Sequence, residues 1–278
     1  MELLLPALHD IVNSSNANRL FIRNQLKQYL QVIVLQYLFS HPIYRNLIFY
    51  GGSALSLCYH LPRLSEDLDF IDNSSSIDVL ILQHDLTAFF AKETDVQIRG
   101  SVQKFRIYLK FPILRELGLS GKSESDDLFI KLEIYADTSY CKHIEPIIVP
   151  MFTFNHSLLV RSLDLPTLMS TKIRAILYRK WEKTNKGGKT TIFVKGRDYF
   201  DLMWFLERKV SPNMDCIEGY SSKRELYADL IGILKNLDAK SFQLDLETFI
   251  ENQDYVITLS QSIQAILQRQ IQDSLDTE

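Results

Sequence analysis

Residues 49–70 read FYGGSALSLCYHLPRLSEDLDF, an apolar run, a glycine pair and two aspartates in close succession. Its apolar pattern predicts a strand over residues 43–50 that stops at Gly51-Gly52, a turn into a short helix near Ala54, and a second strand over 68–71. Glycines at such a turn let the backbone approach a ligand closely. Gly51, Gly52 and Ser53 stand where backbone N–H groups, a helix dipole and a hydroxyl can converge on a phosphate. A strand, a turn and a serine cap of purely structural purpose have the same pattern. Asp67 and Asp69 are two residues apart, so on a strand both carboxylates leave one face while Leu68 points to the other. Adjacent like charges raise one another's pKa unless a cation sits between them, and such oxygen pairs suit Mg²⁺ held together with substrate phosphates. A solvated strand end reads the same way.

Upstream, residues 16–40 carry apolar side chains at helical spacing. Downstream, a helix is predicted over 77–93 and strands over 96–98, 104–111, 128–135 and 144–149, separated by loops at 73–76 (NSSS) and 120–127 (SGKSESDD). In FIKLEIY, residues 129–135, Lys131, Glu133 and Tyr135 share a face. If this strand lies beside that of Asp67 with polar faces matched, Glu133 becomes a third carboxylate; an exposed polar face is the plainer alternative. From Leu165 the period turns helical, with further helices over 198–209, 222–237, 241–251 and 258–272. The expectation is an α+β fold: residues 1–162 form a mixed sheet with flanking helices, and residues 163–278 form a mainly helical C-terminal domain.

GGSAL followed by RLSEDLDF, then STKIRAILYR from Ser170 and GRDYFDLMWFL from Gly196, resemble the motifs of the nucleotidyltransferase AbiEii/AbiGii toxin family. That family includes MenT-like toxins and belongs to the DNA polymerase β-type nucleotidyltransferase superfamily, and the resemblance runs from Leu47 to Leu206. It implies a nucleotidyltransferase-type sheet and an enzyme that uses Mg²⁺ or Mn²⁺ to transfer NMP from an NTP to an acceptor hydroxyl. It also implies a toxin-antitoxin or abortive phage infection system, tRNA as acceptor and a cognate antitoxin protein as partner. The implied catalytic residues are Asp67, Asp69, Lys172 and Asp198. The nucleotide falls to Gly51, Gly52, Ser53 and Lys172, and the metal to Asp67, Asp69 and Glu133. Glu133 stands where many related enzymes carry Asp, and the interval from Ser53 to Asp67 is longer than in some of them.

The residues themselves leave plainer readings for several of these. Lys172 interrupts an apolar helical stripe, so it either reaches solvent or meets an anion. Asp198 opens a helix, where the dipole alone favours a carboxylate. Its RDxxDL match, Arg197, Asp198, Asp201 and Leu202, carries the catalytic reading, with Asp201 as support. Arg63, Ser65 and His60 read first as structural, and Trp204 and Phe205 as packing.

The chain has 278 residues, 46% of them hydrophobic, and a formal net charge of -3, which excludes a protein basic all over. The charge is uneven. Residues 172–197 hold nine Lys/Arg against the single acid Glu182, a net +8 that leaves -11 elsewhere, while residues 237–278 carry -6. The basic segment suits phosphate contacts to RNA. An acceptor on a protein or small molecule, or a non-catalytic regulator that only binds RNA or a partner, are the competing functions. Cys58, Cys141 and Cys216 form no disulfide framework or zinc pattern, and no stretch is long and apolar enough to span a membrane, so a cytoplasmic protein is expected.

Overall fold

The computed structural model describes residues 2–136, 138–141, 143–179, 183–184, 190–192 and 195–276. Two compact units result, Met1–Thr138 with Pro146–Ser162, and Ser139–Glu145 with Leu163–Glu278.

The first unit runs α1 (Leu4–Ser14), α2 (Arg19–Ser40), β1 (Ile48–Tyr50), α3 (Gly51–Tyr59), β2 (Asp67–Ile71), α4 (Val79–Glu93), β3 (Arg99–Gln103), β4 (Arg106–Pro112), β5 (Asp127–Tyr135), β6 (Ile147–Thr153) and β7 (His156–Ser162). The strands form one mixed sheet in the order β3-β4-β5-β2-β1-β7-β6, with β2 parallel to β5 and β1 parallel to β7. One face carries Phe49, Leu68, Phe70, Leu109, Ile130 and Leu132, which join apolar side chains of α1, α2 and α4 in the core. Because strand side chains alternate, the polar residues of β2, β4 and β5 are all delivered to the opposite face. Helix α2 is buried over most of residues 29–38, where its sequence is mainly apolar.

Three local expectations change. The predicted strand over 43–50 shortens to β1, because Tyr44–Asn46 forms a 3-10 turn whose Tyr44 ring stacks on His41 and whose hydroxyl donates to Asp85. Val96 and Ile98 are buried without forming a strand; Asp95 beside them instead accepts the Leu4 N–H at 2.7 Å, anchoring this loop to α1. A strand without a sequence prediction, β7, pairs with β6 through a turn at Phe154-Asn155, both at positive φ as a tight hairpin turn requires.

The second unit contains α5 (Leu165–Tyr178), a short ribbon of Lys183–Thr184 paired with Thr190–Ile192, α6 (Gly196–Glu207), α7 (Lys223–Leu234), α8 (Ala239–Leu246) and α9 (Gln253–Asp276). Asp164 caps α5 by accepting the Thr167 N–H, and Pro166 sits in the first turn, where its missing N–H costs nothing. Segment Ser139–Glu145 belongs here: the Tyr140 ring lies under the Arg174 guanidinium, and Cys141 is disulfide-bonded to Cys216. These two residues, 75 apart in sequence, meet only through the fold. Cys58 stays a free buried thiol, which burial pushes up to about 12.

Candidate active site

In the first unit the parallel pairing of β2 and β5 sets Asp67 opposite Lys131 and Asp69 opposite Glu133. Tyr50 on β1 and Arg106 on β4 extend the second row, which reads Tyr50, Asp69, Glu133, Arg106 across four strands. The three carboxylates named from sequence therefore share one face. The glycine turn abuts them. Gly51 has φ +81°, and a Cβ there would collide with Asp69 Oδ2, so both backbone conformation and space require glycine. A Cβ at Gly52 would lie 2.8 Å from Ser65 Oγ and 3.1 Å from Arg63 Nη2, which gives those two residues a packing role beneath the turn. The buried Ser53 hydroxyl donates to the Asp67 carbonyl and ties the turn to β2. His60 ends α3 in the left-handed conformation, a structural part.

Gln31 was not singled out by the sequence reading. Its buried amide donates to the carbonyls of Ser65 (3.3 Å) and Glu66 (2.9 Å), fixing the chain as it enters β2. The available signal was an amide inside the apolar run of α2, since a buried amide needs partners.

Lys131 dominates the electrostatics. Its ammonium lies 3.0 Å from Asp67 Oδ2 and 2.9 Å from Glu133 Oε1, bridging the two. Glu133 Oε1 also accepts from Arg106 Nε at 2.7 Å, and Oε2 accepts from the Tyr135 hydroxyl. Burial opposes charge on Glu133, but Tyr135, Lys131 and Arg106 outweigh it and hold the carboxyl below its ordinary range. Asp67 goes the other way: burial pushes its carboxyl up, with Lys131 only partly offsetting this and Glu66 and Glu133 adding to it. As to a metal, Asp67 and Asp69 supply the hard oxygen pair that Mg²⁺ takes together with phosphates. Glu133 has both oxygens already occupied, and among the described residues no group of three or more His, Cys, Asp or Glu is arranged to hold an ion.

The second unit holds Lys172 and Asp198. Lys172 reaches Asp198 Oδ1 at 3.2 Å and Asp201 Oδ2 at 2.9 Å, with the three side chains 11%, 4% and 0% exposed. The lysine that breaks the apolar stripe of α5 thus meets anions on α6 instead of solvent. Burial disfavours charge on Asp198, yet Lys172, Lys195 and Arg179 hold its carboxyl below the usual range, and Arg179 Nη1 lies 3.8 Å away. Lys195 is pushed down to about 8, by burial first and then by Arg197, Lys172 and Arg179, with Asp198 opposing. Arg197 places its backbone N–H and its Nε on Asp245 of α8. Arg179, Lys195 and Asp245 were missed because their roles depend on packing between helices. Trp204 and Phe205 are buried packing residues. Of the basic loop over residues 180–189, only the Lys183–Thr184 ribbon lies within the described residues.

Among the described residues no helix is long and apolar enough to cross a membrane. No curated protein matches the chain. Two crystal structures from Helicobacter pylori are similar: a "putative nucleotidyltransferase" at 17% identity and TM-score 0.49, covering 91% of this chain and 96% of that one, and JHP933 at 16% identity and TM-score 0.45, covering 91% and 95%. Residues 34–273 match the family described as "Nucleotidyl transferase AbiEii toxin, Type IV TA system". That match spans both the glycine turn with its paired aspartates and the helix pair with its buried lysine, and on it this chain belongs to the AbiEii nucleotidyltransferase toxin family of type IV toxin-antitoxin systems.

Proposed function

We propose that the protein transfers the NMP of an NTP to an acceptor hydroxyl at the 3′ end of a tRNA, in a phage-defence setting within the cytoplasm. The observation that carries this is the placement of Asp67 and Asp69 on one sheet face directly beside the Gly51-Gly52 turn. In the reaction the acceptor oxygen bonds to the α-phosphorus, the bond from that phosphorus to the bridging oxygen of the β-phosphate breaks, and pyrophosphate leaves. The hydroxyl proton goes to the Asp67 carboxylate, which shares the sheet face beside the turn with Asp69. The turn at Gly51-Gly52 presents backbone N–H groups to the outer phosphates, with Ser53 holding it against β2. Mg²⁺ or Mn²⁺ held by Asp67 and Asp69 would supply charge neutralisation at the reacting phosphate. Glu133 serves by fixing Lys131 and Arg106 beside the pair. Lys172 is assigned to phosphate charge and Asp198 to its orientation. The antitoxin partner follows from the family.

Incubating the protein with each labelled NTP, total tRNA and Mg²⁺ tests the reading. Labelled tRNA is expected, with Asp69→Asn lowering the rate about a thousand-fold, equivalent to several kcal/mol of barrier. Absence of transfer with every NTP and metal, or transfer undiminished by Asp69→Asn, would overturn it.

A further inference from the structure

We infer that the cavity bounded by the end of α6, by α7 and by α9 binds a small molecule without net charge that carries an amide-type edge, a hydrogen-bond donor beside an acceptor. Every residue that lines it belongs to the second unit, and none takes part in the Lys172 bridge. The sequence builds it at a helix end. Helix α6 stops where Lys209 turns left-handed (φ +56°) and the Val210 N–H returns to the Phe205 carbonyl at 3.1 Å. That turn supplies Leu206 and Val210 as an apolar wall, with Tyr227 of α7 and Gln270 of α9 on the others, around a volume of about 650 Å³. A space of this size takes a molecule as large as a nucleoside or a capped dipeptide.

Two polar groups on these walls lack partners. Tyr227 is 2% exposed and its hydroxyl bonds to no described residue; burial alone pushes the phenol up to about 12. The Gln270 carboxamide likewise bonds to no described residue, and its Oε1 is fully enclosed. Buried polar groups left unpaired cost free energy, which a ligand that pairs them recovers. Charge narrows the ligand further. Lys209 and Lys223 are balanced by Glu207 and Asp273 among the lining residues, so neither an anion nor a cation gains net attraction. A carboxamide presents a donor beside an acceptor and pairs through two bonds with an edge of the same kind, as glutamine does with adenine. Nucleobases and peptide amides both carry that edge, and the Tyr227 hydroxyl can add a third bond.

The test titrates the full chain by calorimetry and ligand-observed NMR with adenosine, uridine and N-acetyl-alanylalanine amide. Inositol serves as a polar molecule without the edge, and AMP as a charged one. Saturable binding of an edge-bearing probe at millimolar concentration or below is expected, with inositol excluded and AMP no tighter than adenosine. Gln270→Leu should weaken that binding at least about ten-fold, which places the probe in this cavity, and Tyr227→Phe should weaken it less. Because neither group has a partner in the protein, both variants should keep or raise the thermal midpoint of the free chain. Binding of the nucleosides alone identifies a base, binding of the peptide alone identifies an amide, and binding of both identifies recognition of the edge itself; each supports the site. Absence of saturable binding by all three, inositol bound as well as they are, AMP bound more tightly than adenosine, or affinity undiminished in Gln270→Leu overturns it. Midpoints lowered in both variants with no probe bound would mark the two groups as parts of the fold and overturn it equally.

Discussion

The two units each hold a lysine between two carboxylates, and the pairs differ in almost everything else. Lys131 bridges Asp67 and Glu133 on a sheet face where the lysine is 27% exposed and Asp67 39% exposed. Lys172 bridges Asp198 and Asp201 between helices where little water reaches. A part-exposed bridge contributes less to stability and can be exchanged for another cation at its Asp67 end, although its Glu133 end is buried. A buried bridge is fixed, because withdrawing the lysine strands two desolvated anions. A lysine between two carboxylates thus makes an exchangeable site in one unit and a rigidly pre-positioned lysine in the other.

Breaking the buried bridge has the largest expected effect. Lys172→Met should cost about 3–5 kcal/mol, read as a lowered denaturation midpoint, and adding Asp198→Asn with Asp201→Asn should recover much of it. Gly51→Ala comes next, at about 1–3 kcal/mol, because it strains φ and pushes on Asp69; transfer activity should fall together with stability. Lys131→Met is expected to change stability by no more than about 1 kcal/mol, since Glu133 keeps Arg106 and Tyr135. It should instead push the Asp67 carboxyl further up, and the acid limb of a transfer pH profile should move to higher pH with it.

Acid sharpens the same contrast. Asp198 and Glu133 have folded pKa values below their unfolded ones, so their stabilisation is present above the ordinary carboxylate range and is lost as pH falls through the folded values. Acid unfolding curves should flatten more in Lys172→Met than in Lys131→Met. Lys195 gives the smallest effect, with the same upward slope but in an alkaline window. With a folded pKa of about 8, it is neutral in the native state while still protonated in the unfolded chain up to about 10.4. Stability should therefore rise with pH across that window relative to Lys195→Met, measured as denaturant midpoints.

Much of the sheet unit was legible because its chemistry is local. The i, i+2 spacing of Asp67 and Asp69 set their shared face, and the alternation in FIKLEIY put Glu133 on the polar side of its strand. Pairing partners were not local. Nothing in the spacing reveals that Lys131 stands between two acids, and the β6–β7 hairpin turns at Phe154, an improbable residue for positive φ. In the helical unit, Lys172 was conspicuous as a break in an apolar stripe. Its surroundings were not, because Arg179, Lys195 and Asp245 arrive from separate segments whose approach is decided by helix packing.

Gly196 opens α6, and a Cβ there would come within 2.7 Å of the Phe242 carbonyl oxygen on α8, just where Asp245 receives Arg197. The helix carrying Asp198 and Asp201 is thus seated on residues translated dozens of codons later. The acidic segment that follows thus supports, through Phe242 and Asp245, the start of the helix that carries the bridge.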